Sequence, residues 1–319
     1  MKYLIIGAGG TGGAMAAYLS RAGQEVALIA RGEHLAAIRE NGLRLELPGE
    51  AFVTRPSACT MEEYEAVSGS RGAETEPDIA FVCVKGYSMG ETAAFLRKTL
   101  KPRTVVIPIL NIYGTGRQLQ EELPDNTVTD GCMYITSQKK APGVIKMNGP
   151  LFRVVFGLRK DTEPEVRELV WPILEKVAAE LRAAGIKSVL SEQIEADAFR
   201  KFTLISPMAS LGAAYGTQAM DMQAGGRYRE AFISLVRELM GIAEKQGIEL
   251  PQDMVHKNLD IMDHMAPETT ASMQRDVASG HASEVDGLVY EVVRMGEKAG
   301  AEVPEYRKIA AMLRERGLK

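Results

Sequence analysis

A chain of 319 residues, 45% hydrophobic and 25% charged, has the size and composition of about two ordinary globular domains. Its formal net charge of −4, with basic residues clustered no further than pairs such as Lys139–Lys140, gives no footprint for nucleic acid. No apolar run approaches the ~18 residues of a membrane span, and three cysteines (Cys59, Cys83, Cys132) and four histidines (His34, His256, His264, His281) show no metal-ligand spacing, which fits a reducing cytoplasm and no metal.

Tyr3–Ile6 is a short apolar run that reads as a buried strand, too short for the core of a signal peptide. It leads into Gly7-Ala8-Gly9-Gly10-Thr11-Gly12, with Gly7, Gly9 and Gly12 in G-x-G-x-x-G spacing. A helix is expected from about Thr11 to Ala22, stopped by Gly23, and a second strand over Val26–Ala30. In such a βαβ unit the first glycine makes the tight turn and the second lets a pyrophosphate reach the backbone. The third lets helix and strand pack closely. The free N–H groups of the helix N-terminus then face the phosphates. The second strand ends in Arg31, where an NAD site usually carries Asp or Glu. A guanidinium suits a 2′-phosphate, so NADP(H) is the expected cofactor; the plainer alternative is a solvated loop arginine.

Residues 57–77 are polar and read as a surface helix and loop. Asp78–Val84, Thr104–Leu110 and Leu151–Gly157 are apolar runs expected as strands buried on both faces. An amphipathic helix over Val166–Ala184 carries Val170, Leu174, Val177 and Leu181 on one face, and Ile186–Leu190 is a short strand. From about Ser191 the strand pattern stops, and helices are expected over 192–211, 226–247, 251–264, 269–279, 282–300 and 304–317, with Pro251 and Pro304 in first turns. The expected fold class is α/β: a Rossmann-type NADP-binding domain over 1–191, then an all-α substrate and dimerisation domain over 192–319. In that layout the active site is expected between the domains, at the carboxyl ends of the strands.

Reduction of a carbonyl needs a positioned nicotinamide, a proton donor for the developing alkoxide, and groups that hold the substrate. Asn111 follows the run VVIPIL, where an amide can orient nicotinamide or substrate; a turn or capping asparagine is the plainer reading. Lys85, in FVCVKGYS, stands where it could reach the adenosine or phosphate part of the cofactor, or simply be solvated. Lys201 lies among Phe199, Phe202, Leu204 and Ile205; partial desolvation makes such a lysine a better acid, although one lysine on an amphipathic helix is ordinarily a solvated one. In TTASMQRDVASGHASEVDG, the Ser272 hydroxyl could bond a substrate carboxylate or hydroxyl and Glu284 could accept from a substrate hydroxyl or from cofactor ribose or amide; a helix-surface serine and a first-turn glutamate are the plainer readings.

Taken in order, the glycine loop, V-K-G-Y, L-N-x-x-G, the R-K pair of an early helix, and S-M-x-x-D followed by S-E-V-D resemble the ketopantoate reductase (2-dehydropantoate 2-reductase) family, from Lys2 to about Pro304. The resemblance implies NADPH-dependent reduction of a small 2-keto acid to a 2-hydroxy acid. It implies Lys201 as proton donor, Glu284 in contact with cofactor and substrate, and Ser272 on the substrate. Asn111 would stand between nicotinamide and substrate, and Arg31 and Lys85 would hold the adenosine phosphate. The chain departs from the family where pocket asparagines are usual: Ile205, Ala209, Ala219 and Thr269 stand there, and the family's N-G pair after the fifth strand is Asn111–Ile112. This implies a more apolar pocket, suited to a more apolar 2-keto acid than ketopantoate. A different two-domain hydroxyacid dehydrogenase, or a non-catalytic NADP-binding sensor, are the alternatives. A homodimer is expected from size and class alone, with the methionine-rich second half supplying core gap-fillers or an interface.

Overall fold

Ten strands form in the computed structural model, which describes residues 1–68 and 76–318. They are β1 (Lys2–Ile6), β2 (Glu25–Ile29), β3 (Leu43–Leu47), β4 (Glu50–Thr54), β5 (Ser57–Cys59), β6 (Ile79–Val82), β7 (Val105–Pro108), β8 (Asp130–Ala141), β9 (Val144–Gly157) and β10 (Lys187–Leu190). Between them run helices α1 (Gly10–Arg21), α2 (Gly32–Asn41), α3 (Met61–Ser68), α4 (Met89–Thr99), α5 (Thr115–Glu122) and α6 (Pro164–Ala183). The helix and loop expected over 57–77 become β5 and α3, and residues 69–75 of that stretch lie outside the described residues.

Four apolar runs, with the short β5 at one edge, pair as a parallel sheet in the order β5-β2-β1-β6-β7. Alternate residues serve opposite faces: Tyr3, Ile5, Phe81 and Ile107 enter one core, and Leu4, Ile6, Val82 and Val106 enter the other. Burial on both faces is why these segments are continuously apolar rather than alternating. The order reverses direction at β1, so the crevice where dinucleotides bind such folds lies at the carboxyl end of β1, flanked by β2 and β6.

A second sheet, β10-β9-β3-β4 with β8 on β9, has only two segments that the apolar runs foreshadowed. β9 extends back to Val144, well before the expected Leu151. Its first half alternates buried Ile145 and Met147 with exposed Lys146 and Asn148, and the far end of β8 is the charged stretch Gln138–Lys140. Such half-solvated edges carry too little apolar signal to be read as strands.

By its internal contacts the chain forms two units: Met1–Leu110 with Gly114–Ile194, and Asn111–Tyr113 with the residues from Glu195 onward. The second is mostly helical: α7 (Ile194–Tyr215), α8 (Ala219–Gln223), α9 (Arg227–Lys245), α10 (Met254–Asp263), α11 (Ser272–Ala278), α12 (Glu291–Ala299) and α13 (Pro304–Glu315). Pro304 opens its helix as expected, whereas Pro251 precedes Met254 by a separate turn. The helix expected over 282–300 begins as a π turn, Asp286–Tyr290, and becomes α-helical only at Glu291. The Ser206 hydroxyl donates to the Leu288 carbonyl at 2.7 Å inside that turn, an outside partner of the kind that accompanies a widened helix. Among the described residues no helix is long and apolar enough to cross a membrane.

Candidate active site

The glycine loop between β1 and α1 is built from close approaches. Gly7 has φ +101°, a region that side chains disfavour, and a Cβ there would lie 2.7 Å from the Cys83 carbonyl oxygen. A Cβ on Gly12 would lie 2.0 Å from the Gly7 oxygen, and one on Gly10 2.7 Å from the Ser137 oxygen of β8. At Gly9, by contrast, a Cβ would meet nothing within 4 Å. Three glycines therefore let protein pack on protein, while the second leaves backbone open on the side where a pyrophosphate would approach. Gly9 is also the N-cap of α1, with no side-chain cap and no acidic residue in the first turn, so the positive end of the helix is not already neutralised. This loop fits a dinucleotide phosphate.

Arg31 is exposed, in extended backbone at the N-cap of α2 just past β2. Lys85 is half-buried just past β6, at the start of a short 3-10 turn over Gly86–Ser88. Two cations thus stand at the carboxyl ends of the two strands that flank β1. Cys83 backs the loop: part of the residue is accessible, yet burial pushes its thiol up to about 12, so it is a packing residue rather than a thiolate. His34, which entered the sequence reading only as lacking a metal partner, is buried at 8% exposure with its Nε2 2.8 Å from the Ala8 carbonyl oxygen.

In the helical unit, Lys201 of α7 is buried at 7% exposure and donates from Nζ to Asn111 Oδ1 at 2.8 Å. A buried ammonium is costly without acceptors, and the Asn111 amide supplies one. The N-cap of α5 is Gly114, so Asn111 is not that helix's cap. Asn111 is brought to Lys201 by its neighbours. The Tyr113 ring packs edge-on against Phe199 with centroids 4.7 Å apart, and Ile112 rests on Gly287, where a Cβ would come within 2.3 Å of its Cδ1. The segment Asn111–Tyr113 consequently packs with the helical unit although it follows a strand of the other. Neither Gly287 nor Tyr113 stands out in the sequence.

Glu284 is buried at 4% exposure, and its carbonyl accepts from the Leu288 N–H at 3.0 Å, an i to i+4 bond that sets Glu284 at the start of the helix, two residues before the π turn. Ser272 is half-buried at the first position of α11. One and two turns after Lys201 come half-buried Ile205 and buried Ala209. Ala219 is fully buried, and its N–H donates to the Thr269 carbonyl at 3.0 Å. A buried cationic donor paired with an amide, next to apolar positions, can protonate a developing alkoxide and admit an apolar substituent.

Two family models match the chain: ketopantoate reductase PanE/ApbA over residues 3–161 and its C-terminal counterpart over 193–317. The 2-dehydropantoate 2-reductase of Pyrococcus abyssi is 27% identical over 310 residues, 95% of this chain and 94% of that protein. A PanE/ApbA family ketopantoate reductase from Ralstonia eutropha superposes with a TM-score of 0.85 at 26% identity, covering 98% of this chain and 97% of the other. A D-mandelate dehydrogenase solved with NADH and anilino(oxo)acetate shares the fold, with a TM-score of 0.86 at 21% identity over 99% of this chain and 98% of the other.

Proposed function

This chain belongs to the ketopantoate reductase family and is an NAD(P)-dependent oxidoreductase, and we propose that it reduces a 2-keto acid to a 2-hydroxy acid with NADPH and with Lys201 as the proton donor. The buried Lys201–Asn111 pair carries this reading, because a sensor that only binds nucleotide has no use for a desolvated ammonium.

Bound NADPH would supply a hydride to the keto carbon. The Lys201 ammonium stabilises negative charge growing on the carbonyl oxygen, gives that oxygen a proton, and recovers one from solvent. Asn111 fixes the Lys201 amine through Oδ1 and offers its N–H₂ to nicotinamide or substrate. Ser272 bonds the substrate carboxylate, and Glu284 accepts from the hydroxyl that forms on reduction or from the cofactor. Gly7, Ala8, Gly9, Gly10, Thr11 and Gly12 cradle the pyrophosphate, and Arg31 with Lys85 favours the 2′-phosphate.

The substrate we propose is a 2-keto acid more apolar than ketopantoate. Ile205, Ala209 and Ala219 offer no side-chain donors at three of the replaced asparagine positions, with Thr269 at the fourth, and a pocket with fewer donors discriminates less for a hydroxyl. A fold neighbour crystallised with an aryl 2-oxo compound, anilino(oxo)acetate, is compatible with this choice.

The test follows NADPH oxidation with ketopantoate and a panel of apolar 2-keto acids, in wild type and Lys201→Ala. Loss of a general acid should lower turnover by about 10²–10⁴ while NADPH still binds. Unimpaired turnover by Lys201→Ala would overturn its role, and a clear preference for ketopantoate would overturn the apolar-substrate reading.

A further inference from the structure

We propose that His34 is a positioning residue for the dinucleotide loop: a neutral imidazole clamped between two backbone groups that fixes Ala8 where the phosphates are to be received. The inference rests on the reading that this loop binds NADPH.

The geometry sets the state of the ring. The Gly143 N–H donates to Nδ1 at 2.8 Å, so Nδ1 carries no proton. Nε2 must then hold the hydrogen and donate it to the Ala8 carbonyl oxygen, 2.8 Å away. Both ring nitrogens are thereby used, by partners 26 and 109 residues distant in the chain. One side chain of α2 ties the loop after β1 to the turn that joins β8 and β9.

That turn is itself anchored. Gly143 has φ +73° and lies against Ala37 of α2, where a Cβ would be 3.1 Å from the Ala37 Cβ. Its carbonyl accepts from the Arg44 N–H of β3 at 2.9 Å. The hairpin also closes on α1, since Ser137 of β8 abuts Gly10 and the Ile145 side chain of β9 abuts Gly13. Ala8 is therefore held against a fixed frame, and a loop whose carbonyl is already bonded loses less freedom when a ligand arrives.

Protonation would undo the clamp, because Nδ1–H would confront the Gly143 N–H donor. Burial, aided by the positive charge of Lys139 on β8, keeps the pKa of the ring below its usual 6.5, against the bond to Ala8 O, which raises it. The loop and the turn face the ring with backbone groups, Ala8 O and Gly143 N–H, and Arg31 at the N-cap of α2 and Glu33 in its first turn are near in sequence. A depressed histidine pKa places the clamp at full strength above 6.5 and removes it as the pH falls through the lowered value.

NADPH binding is titrated by fluorescence for wild type, His34→Ala and His34→Gln between about pH 8 and about pH 5, with unfolding midpoints measured alongside. Leaving Ala8 O and Gly143 N–H unpaired in His34→Ala should weaken NADPH binding about 10-fold. Glutamine can both donate and accept, so His34→Gln should recover most of that affinity. The 2′-phosphate titrates near pH ~6 in every sample, so the difference between proteins is what counts. Wild type should lose additional affinity in acid that His34→Gln does not lose. Equal NADPH affinity in all three proteins, or the same acid profile in wild type and His34→Gln, would overturn the proposal. If His34→Ala does not fold, the acid profile of His34→Gln decides alone. Wild type that fails to bind NADPH at any pH would instead sink the cofactor reading on which the inference rests.

Discussion

Adding one methyl group at Gly287 tests how Asn111 is held on Lys201. An alanine Cβ there would lie 2.3, 2.6 and 3.0 Å from Cδ1, Cγ1 and Cγ2 of Ile112. Ordinary carbon contacts are about 3.5–4.0 Å, so Ile112 must retreat by about 1 Å. Both branches of the side chain are struck, and a β-branched residue has few other χ1 positions, so a rotamer change does not clear the clash. Alanine gains up to about 1 kcal/mol of helix propensity over glycine, and overpacking costs about 1–3 kcal/mol, so net destabilisation should stay below about 3 kcal/mol. The effect on the site is larger. Asn111 immediately precedes Ile112 in the chain, and its 2.8 Å bond to Lys201 does not survive a shift of that size. Misplacing a catalytic group by about 1 Å can cost 10²-fold, so kcat/KM with the best 2-keto acid should fall by about 10–100-fold. Ile112→Ala removes all three struck carbons, and in the double variant Gly287→Ala should add almost no further loss. The assay is a double-mutant cycle on kcat/KM and on denaturant unfolding, with an expected coupling of about 1–3 kcal/mol. If the two substitutions combine additively, within about 0.5 kcal/mol, Ile112 and Gly287 do not act as one contact and the account of Asn111 is wrong.

Two further outcomes are expected. Arg31→Ala, at an exposed position, should leave the unfolding midpoint unchanged and raise the NADPH dissociation constant about 10–100-fold relative to that for NADH, the value of about one charge-assisted phosphate contact; equal losses for the two cofactors would remove Arg31 from the 2′-phosphate. Glu238 of α9 accepts from the Glu305 and Tyr306 N–H groups at 2.7 and 3.1 Å and so caps α13, and Glu238→Ala should cost about 1–3 kcal/mol in urea unfolding. Burial holds the Glu238 carboxyl above its usual range, so its contribution to stability falls as the pH rises through that raised value, a slope absent from the variant.

The parts of this protein that one stretch of chain can specify were legible in its sequence. The strand, glycine loop, helix and second strand of the nucleotide unit run from Lys2 to Ile29, and the glycines of the loop answer to a neighbour or to an open approach, while Gly23 at φ +80° ends the helix. The doubly buried strands declared themselves as continuous apolar runs, and the helical second half by its period, because local hydrophobic pattern reports which faces are buried. Local pattern does not report what a face is buried against. Of the second sheet only the end of β9 and β10 were legible; β3, β4, β8 and the start of β9 were not, because those stretches are half-solvated and the order β10-β9-β3-β4 joins segments far apart in the chain. The expected 282–300 helix opens as a π turn at a position bonded by Ser206, 82 residues away from Leu288. Lys201 read alone as a solvated helix lysine; its burial and its partner 90 residues away come from the packing of Tyr113 and Ile112 on α7 and the π turn. His34 showed nothing in sequence beyond lacking a metal partner, since the carbonyl and the amide that claim its two nitrogens meet only when the β8–β9 turn closes over the loop. Periodicity and turn chemistry act over a few residues, whereas the protonation state and bonding of a buried polar group are fixed by whichever distant segments the fold places beside it.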